Sequence, residues 1–446
     1  MGSGSCIGAR VSKTFREWNP SQQFLLPPSV EDFVPQNHIA HFVRNLVVDD
    51  LDLSAIVDSY KGEKGYPPYH PTMMTALLLY AYSQGVYSSR RIAQACEQRV
   101  DFMAITSTQR PDFRTVNDFR RRHLDALRGL FLQVLRLCKR AGLVKLGHVA
   151  LDGTKIKANA SKHSAMSYGK MKEKIPQLEA EIRAWFERAE EEDRRDDRAH
   201  GADERGDELP DWVQNKQRRL EKMKEAKAAL EKEQQEKDGP EDDPPPPRGG
   251  RKPKREHGVP DDKAQRNFTD PESRIMIGTE GFMQSYNAQA AVDASSQVIV
   301  AHDLTTCAVD NGQLLPMVRA IKANLGRHAG EISADKGYLS ETNLEELRKT
   351  RVRAYVATGR QRHGKAAAIY GQPSNKPLTK KMTRRLQRGG WRSRYRFRKQ
   401  TVEPVFGQIK EARRFRRFSL RGKHGVAGEW ALICTVHNLL KLAATR

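Results

Sequence analysis

The sequence predicts a mixed α/β protein with an all-α front, a sheet-bearing core behind it, and a charged helical insertion that splits that core. Three observations lead there. Apolar residues recur at helical spacing through residues 26–145. Short apolar runs of strand length, bounded by turn residues, begin at Gly147 and resume at Phe282, where they alternate with helical segments. Between them, Tyr168 to Lys237 is dense in Glu, Lys, Arg and Ala with a broken helical pattern. At 446 residues the chain has room for two or three domains, at roughly 100–200 residues each.

A Gly/Ser-rich start, residues 1–25, is expected to be a disordered tail. In the helical front, Pro71 suits the first turn of a helix through Tyr82, Gln84-Gly85 breaks it, and Ser88 can cap a second helix running to Glu97. Such a pair places Arg90, Arg91 and Gln94 near the leading end of its second helix. It is either a helix-turn-helix that contacts DNA or a plain packing unit. A longer helix is expected from Thr115, with Asp118 completing a capping-box-like pair and apolar Val116, Phe119, Leu127, Leu130, Phe131, Val134 and Leu135 on one face, until Gly142 ends it.

The run Gly147 to Gly153 reads as a buried strand with Asp152 at its tip. Residues 168–237 read as a helical hairpin with a polar gap near 196–210, and residues 238–267, with prolines from Pro244 to Pro247, read as a charged linker. Strands then follow at Ser285–Val292 and Gln297–His302, joined by the turn Asp293–Ser296. A helix from Asn311 to Leu325, a strand at Glu331–Ala334 ending in Asp335, a helix from Ser340 to Lys349 and a strand at Arg353–Ala357 alternate after them. Lys399–Phe415 and Gly425–Leu442 read as helices. With the Asp152 strand beside the hairpin, the order is β-β-β-α-β-α-β over residues 146–167 and 268–446. That is the order of an RNase H-like mixed sheet, although other α/β layouts fit the same string.

Charge narrows the class of partner. The chain carries a formal net charge of +23, and residues 351–446 hold 25 Lys and Arg against only Glu403, Glu411 and Glu429. Nearly all the excess therefore sits at one end, where aromatic residues such as Tyr355, Trp391, Tyr395, Phe397 and Phe415 are threaded through it. Disordered basic tails are poor in such residues, so a folded polyanion-binding surface is expected. The longest apolar stretch, Ala76 to Tyr82, is far short of the roughly 20 residues a membrane helix needs, and the start has no apolar h-region behind a basic segment. Five unpatterned cysteines support neither a disulfide framework nor a zinc site, and a reducing cytoplasm is expected.

Two acids stand out in the core. Asp152 and Asp335 each follow a predicted strand and are each followed within two residues by glycine, at the sheet edge where α/β proteins place ligands. Hard divalent ions take oxygen ligands, so a few converging carboxylates suffice for in-line displacement at phosphorus. Each Asp alone reads equally as a turn former. Glu403 is the first acid in the basic C-terminal stretch, amid Arg396, Arg398, Lys399 and Lys410, and the alternative for it is a structural salt bridge. Lys410, seven residues on, is expected on the same helical face, where it could reach a phosphate, while Pro404 is expected to start or kink that helix. Asp293 and Asp303 read as turn and edge residues, and His148, His302 and His437 as packed histidines. No phosphate-binding glycine loop, dinucleotide fingerprint or serine-hydrolase elbow occurs.

Several ordered motifs, taken together, resemble bacterial insertion-sequence transposases of the DDE superfamily. They are Ala150-Leu-Asp-Gly-Thr-Lys-Ile-Lys-Ala-Asn-Ala-Ser-Lys162, Lys263-Ala-Gln-Arg-Asn-Phe-Thr-Asp-Pro271, Tyr286-Asn-Ala-Gln289, Ala334-Asp-Lys-Gly-Tyr338 and Thr401-Val-Glu-Pro-Val-Phe-Gly-Gln-Ile-Lys410. Tyr66-Pro-Pro-Tyr-His-Pro71 with Tyr87-Ser-Ser-Arg90 resembles the helical domain at the front of the same transposases. The resemblance implies an RNase H-like catalytic core with an acidic triad at Asp152, Asp335 and Glu403 holding two Mg²⁺ ions, for which Mn²⁺ substitutes. It also implies strand cleavage at terminal inverted repeats, attack of the freed 3′-hydroxyl on target DNA, and a homodimer on paired ends in the nucleoid. Arg90, Arg91, Arg396, Arg398, Lys399 and Lys410 are the expected DNA-binding residues. A related pattern spaces a Tyr, an Arg, the Glu and a Lys along the last segment. In this chain the Tyr position falls on Arg396, next to Tyr395, the Arg position falls on Lys399, and Lys410 is kept. Two other readings stay open, a non-catalytic DNA-binding protein derived from a transposase and an RNase H-like nuclease without strand transfer.

Overall fold

The computed structural model describes residues 29–445, apart from 61–66, 201–210, 240–255, 279–280, 362–367, 372–373 and 390–393. The expected tail at 1–25, the proline run Pro244 to Pro247 and most of the polar gap near 196–210 lie outside the described residues.

Among the described residues, seven α-helices make the front: α1 (Ile39–Asn45), α2 (Ser54–Val57), α3 (Pro71–Ser83), α4 (Ser89–Gln98), α5 (Val100–Thr106), α6 (Phe113–Arg122) and α7 (Leu124–Arg140). The helix pair around Gln84-Gly85 forms as read, with Pro71 in the first turn of α3. The single helix expected from Thr115 is instead two. Its N-cap is Asp112, whose carboxylate accepts the Thr115 N–H at 2.7 Å, and the run breaks at His123. α3 is buried on nearly all sides, because α1, α5 and the C-terminal helix all close over it. One hydrophobic core runs from Val34 to Leu439, so the helical front and the sheet share it.

The strands are β1 (His148–Lys157), β2 (Ala165–Ser167), β3 (Gln265–Asn267), β4 (Arg274–Gly278), β5 (Gly281–Asp293), β6 (Ile299–Thr305), β7 (Glu331–Ala334), β8 (Arg353–Val356), β9 (Arg360–Gln361) and β10 (Ala368–Tyr370). The main sheet runs β4-β5-β1-β7-β8 with β6 also on β5; β1 is antiparallel to β5 and parallel to β7, and β7 is parallel to β8. This is the mixed sheet expected of an RNase H-like core behind a helical domain. All five anticipated strands are present, joined by β4, which pairs with β5 at its start.

Helices α8 (Tyr168–His200) and α9 (Asp211–Asp238) form the insertion and pack on each other, with Tyr168, Met171, Ala226 and Leu230 in a small core of their own. The chain leaves and re-enters the sheet domain through the β2–β3 ladder at their base. Part of the segment read as linker is therefore strand. Helices α10 (Leu314–Leu325) and α11 (Glu341–Lys349) connect the later strands, and α12 (Pro377–Gly389), α13 (Phe397–Gly407) and α14 (Lys423–Ala443) complete the chain. Pro404 lies inside α13, which starts upstream at Phe397 rather than at the proline. α14 is nearly all buried, wedged between α7 and β6, where the Asn438 side chain bonds both the N–H and the C=O of Ile299 at 2.8 Å. His437 is buried there, its ring pushed down to about 3 by burial, in keeping with a packing role.

Candidate active site at the β1–β7 edge

β1 is ten residues long, so Asp152 lies mid-strand and not at a tip as expected. The tip belongs to its neighbour. β7 pairs in parallel with β1 up to Ala150↔Ser333. Continued by two residues, that register sets Asp152 across from Asp335, the residue after β7, on strands about 4.8 Å apart. Asp335 caps the short turn Lys336–Tyr338, its Oδ1 accepting the Gly337 N–H at 2.8 Å.

Helix α13 packs on β1 and brings the third acid. In its first turn, Arg398 Nη1 donates to Asp152 Oδ2 at 2.5 Å and Nη2 donates to Glu403 Oε1 at 3.1 Å. Arg398 also shares a hydrogen bond with the buried hydroxyl of Tyr395, while its Nε is buried without a partner. The Asp152 and Arg398 side chains are 16% and 11% exposed and Glu403 is 48% exposed, so the cluster is open on the Glu403 side.

Burial dominates the electrostatics. It pushes the Asp152 carboxyl up to about 6, with Asp335 adding repulsion and Arg398 pulling the other way. Burial also raises Asp335, helped by a further acid, Asp310, and opposed by Arg398 and the Gly337 N–H. These acids resist carrying full charge together, and a cation relieves that.

The donor chemistry fits a hard divalent ion, since Asp152, Asp335 and Glu403 offer carboxylate oxygens only. The positive charge between Asp152 and Glu403 in this structure is the Arg398 guanidinium. Among the described residues no three His, Cys, Asp or Glu side chains converge closely enough to hold one ion.

The basic residues divide. Tyr395 and Arg398 lie with the acids, whereas Arg396 and Lys399, the positions aligned with the Tyr and Arg of the related pattern, are exposed outside the cluster. The side chains that reach the acids, Tyr395 and Arg398, each stand one residue before those positions. Lys410 shares no simple face with Glu403, because a wide π turn, Gln408–Ala412, follows α13. Its half-buried ammonium donates to the Lys155 carbonyl on β1 at 3.0 Å. Arg90 and Arg91 are exposed on α4, with the Arg90 guanidinium 5.2 Å from the Phe113 ring centre. The turn before α4 docks on the far end of the chain, where Tyr87 Oη donates to the Arg413 carbonyl at 2.8 Å.

The two other C-terminal acids are structural. Glu411 pairs with Arg416 at the surface. Glu429 is fully buried and accepts the Ser419 and Leu420 N–H groups at 2.9 and 3.0 Å. Asp293 and Asp303 hold neighbouring backbone N–H groups, as their turn and edge readings expect. Asp310 went unremarked in the sequence because no strand runs into it, and the Asn311-Gly312 that follows reads as a turn; only the fold brings it to Asp335.

Residues 28–122 match the family described as Transposase domain (DUF772), and residues 357–443 match the one described as Transposase DDE domain. The second match contains Tyr395, Arg398, Glu403 and Lys410, while Asp152 and Asp335 lie between the two matched segments. No curated protein matches the chain, and no solved structure does. No helix among the described residues is long and apolar enough to cross a membrane. With a match to a transposase domain at its front and to a DDE transposase domain at its back, around one mixed sheet, the chain is similar at both ends to DDE transposases of insertion sequences.

Proposed function

We propose that the protein cleaves DNA at the terminal inverted repeats of its own insertion sequence and joins the freed ends to target DNA, with Asp152, Asp335 and Glu403 as its reacting-centre carboxylates. The observation that carries this reading is the meeting of Asp152 and Glu403 on one guanidinium, with Asp335 just past the end of the adjoining strand β7. Holding partly buried acids from distant parts of the chain close together is costly, and the single Arg398 guanidinium offsets only part of that charge.

In cleavage, water attacks phosphorus in line and the P–O3′ bond breaks, leaving a 3′-hydroxyl. In joining, that hydroxyl attacks a target phosphodiester and displaces another 3′-oxygen. Two Mg²⁺ ions, or Mn²⁺ in their place, would be held by Asp152, Asp335 and Glu403 and would stabilise the attacking and leaving oxygens. The chain's own groups position and shield. Asp152 and Asp335 fix the floor of the site on β1 and β7, Glu403 forms the solvent-side wall, and Arg398 keeps Asp152 and Glu403 in place. The surplus of cations over residues 351–446, including exposed Arg396 and Lys399, grips phosphates, with Lys410 bracing α13 against β1 near the DNA path. Arg90 and Arg91 on α4 contact end DNA, and two copies assemble on paired ends on the chromosome.

The test is Mg²⁺-dependent cleavage of a plasmid carrying the element's ends. Asp335→Ala is expected to abolish cleavage while retaining end binding, and retained cleavage rejects the assignment. A non-catalytic DNA-binding role is favoured by one observation, the Arg398 guanidinium between two of the acids. Absence of nicking by the unaltered protein with Mg²⁺ would establish it.

A further inference from the structure

Asp310 precedes the short turn Asn311–Gln313 at the N-cap position, yet its side chain makes no capping bond. An N-cap aspartate ordinarily accepts an N–H of its own turn. Here Oδ1 instead accepts two side-chain amides from β5, Asn287 Nδ2 at 2.7 Å and Gln289 Nε2 at 2.7 Å. Both amides are themselves anchored. Asn287 Nδ2 also donates to the Cys307 carbonyl at 3.1 Å, and Gln289 Oε1 accepts the hydroxyl of buried Tyr338. The Tyr286-Asn-Ala-Gln289 motif thus has a concrete task, which is to hold one carboxylate.

That carboxylate is aimed at the proposed site. A methyl group built on Gly337 would lie 3.1 Å from Asp310 Oδ2 and 3.0 Å from Asp335 Oδ1, so the two acids face each other across a glycine. A methyl on Gly153, beside Asp152, would lie 2.7 Å from Asp310 Oδ1. Both glycines that follow the triad aspartates therefore leave room for the same third aspartate. Amide donors are neutral, so they fix Asp310 without cancelling its charge, and no ion pair to it occurs among the described residues.

We propose that Asp310 is a positioning residue for divalent-cation binding, a fourth carboxylate whose charge, pinned by Asn287 and Gln289 opposite Asp335, strengthens the hold of the β1–β7 edge on the ion. This rests on the reading of Asp335 as a cation ligand. Outer partners of this kind typically change metal affinity by about 10–100-fold.

The experiment is Mn²⁺ titration of the full chain, followed by the electron paramagnetic resonance signal of free Mn²⁺, for the unaltered protein, Asp310→Asn, Asp310→Glu and Asp335→Asn. The Asn variant keeps an oxygen for both amides and removes only charge, so a purely structural role leaves affinity unmoved. The expected result is an about tenfold weaker site in Asp310→Asn, partial recovery in Asp310→Glu, and loss in Asp335→Asn. If Asp310→Asn melts early, Asn287→Leu with Gln289→Leu, which frees the carboxylate without removing it, is expected to weaken Mn²⁺ binding likewise. Unchanged affinity in Asp310→Asn beside loss in Asp335→Asn overturns this proposal alone. Unchanged affinity in Asp335→Asn overturns the functional reading and this proposal with it.

Discussion

Arg398 and Asp152, 246 residues apart in sequence, meet at 2.5 Å between the first turn of α13 and the middle of β1. The same guanidinium reaches Glu403, so one residue joins the sheet to the only acid α13 carries. The buried pair is worth little beside two well-packed apolar residues, but breaking it strands a charge.

Arg398→Ala is therefore expected to destabilise the metal-free protein by about 3 kcal/mol, with part of the loss restored by Mg²⁺ or Mn²⁺ binding to the released acids. Thermal melts with and without 5–10 mM metal, at about the levels such linkage needs, check this. An Arg398→Ala protein that melts like the unaltered one would show that the pair does not brace the site.

The pH dependence follows from Asp152. Its carboxyl is raised to about 6 in the fold against an ordinary value of 3.8, so the folded state prefers the protonated acid. The associated stabilisation is fully present below pH 4 and is lost as pH rises through 6, a change of about 3 kcal/mol. The stability difference between the unaltered protein and Asp152→Asn, measured by denaturant unfolding from pH 4 to pH 7 without metal, should shift in that direction. A pH-independent difference would contradict it.

Gly85 holds the helical front to the rest of the chain. It sits at φ +72°, and a methyl there would lie 2.8 Å from the Arg413 carbonyl oxygen. Gly85→Ala is expected to cost about 1–3 kcal/mol through backbone strain and collision and to loosen the Tyr87–Arg413 contact. Unfolding titrations, with proteolysis between α7 and β1 as a second readout, check it.

Much of this was legible in the sequence. Strand-length runs and their turns gave all five expected strands in order, and the helix expected from Ser340 starts there, with Ser340 as its N-cap accepting the Asn343 N–H at 3.0 Å. What escaped depended on long-range packing. Asp152 looked terminal because Gly153 and Thr154 resemble a turn, but pairing with β5 carries the strand on to Lys157. Pro404 is read as a start or kink because proline's restriction of the residue before it is visible locally, whereas the packing of α13 on β1, which carries the helix back to Phe397, is not. Tyr395 and Arg398 stand one residue before the positions of the related pattern, and only the packing of α13 on β1 shows that they, and not Arg396 and Lys399, reach the acids. Asp310 has a glycine two residues on, as Asp335 has, but no strand ends at it, so its local pattern reads as a turn.

The exposed cations make a separate prediction. Removing Arg396 and Lys399 together should lower the slope of log K against log salt for duplex DNA by about 1.8, or about 0.9 per lost phosphate contact. Fluorescence anisotropy at several salt concentrations measures this, and an unchanged slope places the DNA elsewhere.

If Asp152, Asp335 and Glu403 draw together around a divalent cation, as proposed, the ion marks all three segments at once. Replacing Mg²⁺ by Fe²⁺ and generating hydroxyl radicals with ascorbate and peroxide cuts the backbone close to the bound metal. Cuts are expected to group at residues near 152, 335 and 403 and to be suppressed by excess Mg²⁺. Cuts confined to other segments, or none that Mg²⁺ competes away, would contradict it.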